Sequence, residues 1–554
     1  MFWTDKIVGE IKDRFGTDKE LTIRDEITMS GRVHVGSMRG VAIHGAVAQV
    51  LAEGGIKNTF IYELNDFDPM DDIPSYVDVE SYKKHLGKPL HAIPAPEGEG
   101  LPASRGQAGS FAEYYAREFQ EVIEQAGFRP TYAWTYELYK SGKMNDAIRK
   151  ALEGADTIRE IYKKVSGAER PEGWLPIEIV CEQCGKILTT EAHDFDGGTV
   201  AYTCSTKEGV GGAVGCGYEG RISPFDGNGK LPWKVDWPAK WLAHGVDIEG
   251  AGKDHTTKGG SRDVGNHIAR EIFGITPPID IPYEFFLVGG KKMSGSKGVG
   301  ASAADISRLV PTKIFRLVLL GTLPKRAINM DPAGDTLPTW FDWYDKIAEK
   351  YWSGEEAKAI AGSSSDASQG EAFRDDDARL FELVHEGSPP ERLYLPRFST
   401  VAFLVQMPHL NLEEEIANIK AEYEQRGEAS LLTEGERDEL AARAQFARTW
   451  LGQYAPERYK FEIQEAMPEI ALSPEQKGAL ARVLEYIEQH EELDGQEMHT
   501  RLHEIRKETN IEPKEFFAAL YLITLGKENG PKVGWFLSVL DRSFLIKRLH
   551  EAVA

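Results

Sequence analysis

Cysteine is scarce in this chain: four among 554 residues, all between positions 181 and 216. So few thiols in so narrow a window cannot staple a long secreted protein, and they suit one small metal site better than a disulfide framework. Basic residues are in deficit, with 65 Lys and Arg against 88 Asp and Glu and a formal net charge of −23. Indiscriminate nucleic-acid binding draws on cations that neutralise phosphates, so DNA is not an expected partner, although a local basic groove stays open. Also missing is any run near the ~18 apolar residues of a membrane span. The opening Met1-Phe2-Trp3-Thr4-Asp5-Lys6 carries no secretory apolar stretch. A cytoplasmic protein with no membrane partner is expected, and its length calls for several domains because single cores stop growing at roughly 250 to 300 residues.

Residues 20 to 27 alternate apolar and polar as a strand does, and the turn Gly31-Arg32-Val33-His34-Val35-Gly36 interrupts them. From Met38 to Glu53 the apolar residues fall at helical spacing, Gly54-Gly55 stops the helix, and Thr59 to Leu64 reads as a second strand. A further strand is expected at Val246 to Glu249, leading into Gly250-Ala251-Gly252-Lys253-Asp254-His255 and a helix ending near Phe273. Another, Tyr283 to Val288, runs into a loop rich in lysine, serine and glycine. Strands separated by helices imply a parallel sheet whose ligands sit at the carboxyl ends of the strands. Beyond about 378 the chain reads as amphipathic helices, for example Glu434 to Trp450 and Pro513 to Leu525.

The fold class is therefore α/β: a Rossmann-like parallel-sheet catalytic domain with a zinc-bearing insertion, followed by an all-α C-terminal domain. The expected boundaries are 1–169 and 231–352 for the two parts of the catalytic domain, 170–230 for the insertion, 353–377 for a linker and 378–554 for the helical domain.

Two loops carry the chemistry. His34 and Gly36, just ahead of a helix, meet free N–H groups and a positive dipole end that favour phosphate. Lys292, Ser294, Ser296 and Lys297 gather two cations and two hydroxyls between glycines, a composition suited to clamping a polyphosphate as negative charge develops on a leaving group. Each loop alone also reads as an ordinary polar turn. Found in one chain, each after a strand, they resemble the two ATP signatures of the class I aminoacyl-tRNA synthetases. His34-Val35-Gly36-Ser37 departs from the first only at Ser37, and Lys292-Met293-Ser294-Gly295-Ser296 departs from the second at Gly295, with Lys297 one step beyond.

Further segments are similar to the lysine-specific branch of that family. They are Asn65-Asp66-Phe67-Asp68-Pro69, the stretch Trp233 to Trp241, Gly252-Lys253-Asp254-His255 and Gly530-Pro531-Lys532-Val533-Gly534-Trp535-Phe536-Leu537. The resemblance implies activation of lysine by ATP with magnesium and transfer to tRNA(Lys), by a protein expected to be a monomer. It implies His34, Gly36, Ser37, Lys292, Met293, Ser294, Ser296 and Lys297 around ATP, with His34, Lys292 and Lys297 acting on the phosphates. Asp254 and His255 are expected at the same crevice. A pocket for the substrate ammonium needs carboxylates, for which Asp25, Glu26, Asp66 and Asp68 are candidates, and walls, for which Trp233 and Trp237 are candidates.

Cys181-Glu182-Gln183-Cys184 has the two-residue gap that lets both thiolates reach one tetrahedral zinc. Cys204 and Cys216 complete the set, although eleven residues separate them, and His193 is an alternative ligand; free buried thiols are the other reading. Such a zinc is structural, holding together an insertion too short for a core of its own. The resemblance assigns anticodon reading to the C-terminal helices, where Trp450, Tyr454 and Trp535 could present stacking faces, though an aromatic on such a helix more often belongs to the core. Other readings are a different class I synthetase, a nucleotidyltransferase, or a noncatalytic tRNA-binding paralogue.

Overall fold

The computed structural model describes residues 1–96, 108–290, 302–362, 375–407, 409–425 and 431–554. Its contacts divide the chain into two compact units, residues 1–330 with 347–389 and residues 331–346 with 390–554.

The first unit is built on a parallel sheet. Helix α1 (Trp3–Phe15) precedes strand β1 (Leu21–Thr28), whose Leu21 and Ile23 are fully buried. Helix α2 (Met38–Glu53) then crosses over to β2 (Asn58–Asn65), as parallel neighbours require. The two strands pair over eight positions, from Leu21 opposite Asn58 to Thr28 opposite Asn65, and β3 (Thr131–Trp134) adds in parallel to β2. On the far edge of β1, Ile23 bridges Ile248 and Ile248 bridges Ile279, both in parallel. The order across the sheet is thus β3, β2, β1, then the segments around 248 and 279.

Those last two segments are thinner than the sequence pattern suggests. Pro277, Pro278 and Pro282 remove backbone donors, so single bridges replace a ladder. The strand expected at Tyr283 to Val288 is reduced to Phe286–Val288, which pairs in parallel with Ile328–Met330. Tyr283 itself bridges Gly252.

The insertion carries its own small antiparallel sheet, Thr190–Phe195, Val200–Cys204 and Glu219–Ile222 in that order, and a two-stranded closure of Glu178–Ile179 on Gly229–Lys230. Where a linker is expected from 353, the helix Thr336–Gly362 is still running.

The second unit is helical. Its core gathers Leu480, Val483, Leu502, Phe516, Leu520 and Leu549 from the helices Pro474–Gln489, Gly495–Glu508, Pro513–Leu525 and Arg542–Val553. Starts are marked chemically: Ser473 with Gln476, and Thr433 with Glu436, form reciprocal capping boxes. Among the described residues no helix is long and apolar enough to cross a membrane.

Candidate active site and thiol cluster

The first signature loop lies at the carboxyl end of β1. Val35–Ser37 forms one tight turn with the Ser37 N–H donating to His34 O at 3.1 Å, and α2 begins at Met38. His34 and Ser302 form an antiparallel bridge, and the Ala303 N–H donates to Val33 O at 2.8 Å. Arg32, beside them, donates to Glu118 at 3.1 Å and to Asp305 at 2.9 Å. The chain leaving the lysine-rich loop is therefore fastened to the His34 loop. Lys292, Met293, Ser294, Ser296 and Lys297 themselves lie outside the described residues.

Behind this loop, Asp25, Tyr283 and His44 converge on α2. A Cβ at Gly40 would stand 2.3 Å from Asp25 Oδ2 and 2.8 Å from the Tyr283 hydroxyl, so only glycine admits this approach. His44 Nδ1 lies 2.7 Å from Gly40 O, and the Gly250 N–H donates to Nε2 at 2.8 Å, which ties α2 to the segment around 248. Tyr283 and His44 escaped the sequence reading; only the positions of their strand and helix hinted at them.

The four candidate carboxylates have different fates. Glu26 and Asp68 are taken up by an internal ion network. Arg24, fully buried, donates to Glu63 at 2.8 Å, to Glu249 at 2.9 Å and to Glu26 at 2.5 Å. Lys240 pairs with Glu26, with Glu63 at 3.0 Å and with Asp236 at 3.0 Å. Lys230 bridges Asp68 at 2.8 Å and Asp236 at 3.2 Å. Against the cost of burial, Arg24 and Lys240 hold Glu63 well below the usual carboxylate range, whereas burial pushes Glu26 up despite the same two cations. Asp66 accepts from the Tyr136 N–H at 2.8 Å, and burial pushes its carboxyl up to about 6. Asp25, also buried, accepts from its neighbour's backbone, the Glu26 N–H, at 2.9 Å and pairs with His44, whose Nδ1 lies 3.5 Å away.

The aromatic candidates do come together. Trp233 stacks on Trp237 with centroids 5.0 Å apart and planes 15° from parallel, and the His255 ring stands edge-on at 5.9 Å from each. Trp237 is buried and donates through Nε1 to Glu249 at 2.7 Å; Trp233 is partly open and its Nε1 faces Ser261 Oγ. Asp254 is exposed on the turn Lys253–Thr256.

The four thiols cluster. All Sγ atoms of Cys181, Cys184, Cys204 and Cys216 lie within 4.8 Å of one another, and two pairs stand 3.6 and 3.7 Å apart. A tetrahedron with arms of about 2.3 Å has edges of about 3.8 Å, so the spacing fits zinc. Burial, with the neighbouring Cys181 and Cys216 thiols, pushes Cys184 up to about 12, a penalty that a bound cation reverses. His193 is exposed on a hairpin strand and is not part of the cluster.

Comparison with known proteins follows the same division. The family model described as tRNA synthetases class I (K) matches residues 1–371, and one described as anticodon binding domain matches residues 438–553. The chain is 32% identical to lysine–tRNA ligase 1 of Methanosarcina acetivorans, covering 100% of this chain and 98% of that protein. It is 33% identical to the lysine–tRNA ligase of Pyrococcus horikoshii, covering 99% of each. Among solved structures, a glutamate tRNA ligase from Elizabethkingia meningosepticum aligns over 97% of this chain and 99% of that one, with a TM-score of 0.41 and 12% identity.

Proposed function

The chain belongs to the class I tRNA synthetases (K), and from that premise we propose how its residues carry out the work of a lysine–tRNA ligase. The enzyme activates lysine with ATP and passes it to tRNA. A lysine carboxylate oxygen forms a bond to the α-phosphorus, the bond to the β-phosphate oxygen breaks, and pyrophosphate leaves; the terminal ribose hydroxyl of the tRNA then takes the lysyl group and releases AMP. No protein nucleophile is needed, so positioning and electrostatics dominate.

His34, Gly36 and Ser37 hold ATP at the head of α2, where backbone N–H groups and the dipole favour phosphate. Lys292, Met293, Ser294, Ser296 and Lys297 act on the phosphates, and Asp254 and His255 also contact ATP. Magnesium accompanying ATP would supply positive charge that offsets the phosphates as pyrophosphate leaves. Asp25 receives the substrate ammonium, with His44 as its partner within the fold. Trp233 and Trp237 wall the methylene stem. The four cysteines hold a structural zinc, and the helical unit reads the anticodon. On this reading the enzyme works as a monomer in the cytoplasm.

The observation that carries the reading is whole-length identity with lysine–tRNA ligases in a chain whose His34 loop is bridged to the exit of its lysine-rich loop. Pyrophosphate exchange with ATP tests it, run with each of the twenty amino acids, with and without total tRNA. Exchange stimulated by lysine alone is the expected result. No exchange with any amino acid under either condition would end the proposal.

A further inference from the structure

The four thiols differ in how far solvent reaches them. Cys181 and Cys204 are buried, at 2% and 0% exposure, and Cys184 is half-buried, whereas Cys216 is exposed. An oxidant arriving from solvent therefore meets Cys216 first. The backbone explains the asymmetry. Cys216 follows the glycine-rich stretch 209–215, and the chain on either side of it runs against Cys204. The Gly215 N–H donates to Ser205 O at 2.8 Å, the Cys216 N–H to Cys204 Sγ at 3.3 Å and the Gly217 N–H to Cys204 O at 2.9 Å. A Cβ at Gly215 would stand 2.3 Å from Ser205 O and 2.6 Å from Cys204 Sγ, so only glycine lets the chain pass this close. The same contacts cover Cys204, whose Sγ also lies 3.3 Å from the Thr189 hydroxyl.

Exposure by itself marks an accessible thiol; a second thiol within reach makes its oxidation reversible. Cys216 Sγ stands 3.6 Å from Cys181 Sγ. The other close pair, Cys184 and Cys204 at 3.7 Å, has its Cys204 member shielded by Thr189 and the Cys216 backbone. Joining Cys216 to Cys181 needs the two sulfurs to close by about 1.5 Å, to the ~2.05 Å of a disulfide. Cys216 lies at the surface between two glycines, Gly215 and Gly217, so few side chains oppose that movement.

Resting on the zinc site proposed above, we infer that Cys216 is a site of reversible oxidation by hydroperoxides: its thiolate reacts first, Cys181 resolves the product, and the disulfide between them releases zinc from the insertion.

The steps balance. The Cys216 thiolate attacks one oxygen of the hydroperoxide; an S–O bond forms, the O–O bond breaks and the second oxygen leaves as hydroxide or alkoxide. The sulfur is thereby oxidised by two electrons to a sulfenic acid and the peroxide is reduced. The Cys181 thiolate then attacks the sulfenic sulfur; an S–S bond forms, the S–O bond breaks and hydroxide leaves. Two of the four anionic ligands are lost, and Cys184 with Cys204 makes an incomplete shell for a tetrahedral ion. Exchange with a dithiol breaks the disulfide and restores both thiols.

The test uses the full-length wild-type chain, with its zinc measured first by elemental analysis. Loaded with about one zinc per chain, it is treated with a small molar excess of hydrogen peroxide beside an untreated control, and a chromogenic chelator reports the free metal. Zinc is expected to fall from about one per chain toward none as two of the four thiols are lost. Mass spectrometry of the peptides should show a disulfide joining Cys181 to Cys216, and dithiothreitol with added zinc should return thiols and metal together. In Cys181→Ser, which lacks the resolving thiol, dimedone should label Cys216.

Full zinc content after peroxide overturns the inference. So does a first disulfide joining Cys184 to Cys204, or oxidation of Cys216 that dithiothreitol does not reverse. The wild-type disulfide map decides the matter even if Cys181→Ser fails to fold. A wild-type chain that takes up no zinc on reconstitution removes the zinc reading itself, before any peroxide is added.

Discussion

Arg24 on β1 donates through Nε to Glu63 on β2 at 2.8 Å, with both side chains wholly shut off from solvent at the centre of the parallel sheet. The register sets Arg24 opposite Ile61, Asp25 opposite Tyr62 and Glu26 opposite Glu63. Glu249 closes the other side of the guanidinium and also accepts from Trp237 and Trp241, both at 2.7 Å. The wall of the proposed lysine pocket is thus tied to the ion network that fixes the sheet.

Removing one partner from such a pair leaves a buried charge without compensation. Arg24→Met is expected to destabilise the first unit by about 3–5 kcal/mol, read as a lower midpoint in urea unfolding. Glu63→Gln keeps the shape and one acceptor oxygen, and its cost should be smaller but of the same sign. A midpoint unchanged in both variants would show that the network contributes nothing to stability.

His34 stands where the head of α2 meets the bridge to Ser302. If it donates to phosphate mainly as pyrophosphate departs, His34→Ala should lower kcat for lysine-dependent exchange by about 10²–10³-fold while the affinity for tRNA stays near that of the wild type. Lys292→Ala should likewise reduce kcat more than it raises KM for lysine. Effects confined to the lysine KM would move these residues away from the phosphates.

The thiol cluster predicts metal dependence of one part of the chain. Cys181 and Cys204 belong to the same buried cluster as Ile179, Ile187 and Tyr202, so loss of the ion should loosen the insertion first. Protein treated with a strong chelator, or carrying Cys204→Ser, is expected to lose its zinc by elemental analysis and to be cut by protease within residues 170–230. If the proposed zinc is structural, lysine activation should persist. Unchanged zinc content and protease resistance in the variant would remove Cys204 from the site.

Two neighbouring groups give a pH dependence with opposing signs. The His91 N–H donates to Asp66 O at 2.8 Å, and the His91 ring stacks on Tyr136 at 3.7 Å, the residue whose own N–H caps the Asp66 carboxylate. Burial raises Asp66 to about 6, so its contribution to stability is complete below its unfolded pKa near 4 and is lost as pH rises through 6. Burial lowers His91 to about 4, so its contribution is complete above its unfolded pKa near 6.5 and is lost as pH falls through 4. In the wild type these slopes oppose each other between pH 4 and 6. Asp66→Asn should leave stability that rises with pH across this window, and His91→Phe should leave stability that falls. Denaturant titrations at pH 4.5 and 6.5 check both signs, and equal slopes in the two variants would refute the assignment.

Much of the fold was legible where the signal is local. Alternation identifies β1, helical spacing with Gly54 marks α2, the stretch Thr59 to Leu64 after it reads as β2, and Pro513–Leu525 appears with the ends read from the sequence, because proline at a helix start and glycine after its end act within one turn. The strand expected at Tyr283 to Val288 is shorter in the structure, Phe286–Val288, because its apolar content carries no information on partners and Tyr283 makes only a single bridge, to Gly252. Among the aromatics of the helical unit, sequence gave no means to separate the buried Trp450 from the open Trp535. Trp450 is enclosed and donates to Pro332 O, a residue more than a hundred positions away, whereas Trp535 stays partly exposed.

The sequence by itself determined the residue types of the chemistry and their order: two ATP-signature loops after strands, four thiols within a short interval, and helices at the end. Only the tertiary structure decided which of these residues remain available. It turned Glu26 and Asp68 inward onto Lys240 and Lys230, left Asp25 at Gly40 beside Tyr283, and drew Cys216 into reach of Cys181 across a glycine-rich loop. The reason is physical. A carboxylate's chemistry is the same in every sequence context, but its partners come from strands and helices that the chain brings together over hundreds of residues, and burial then decides whether its charge is spent within the fold or kept for a ligand.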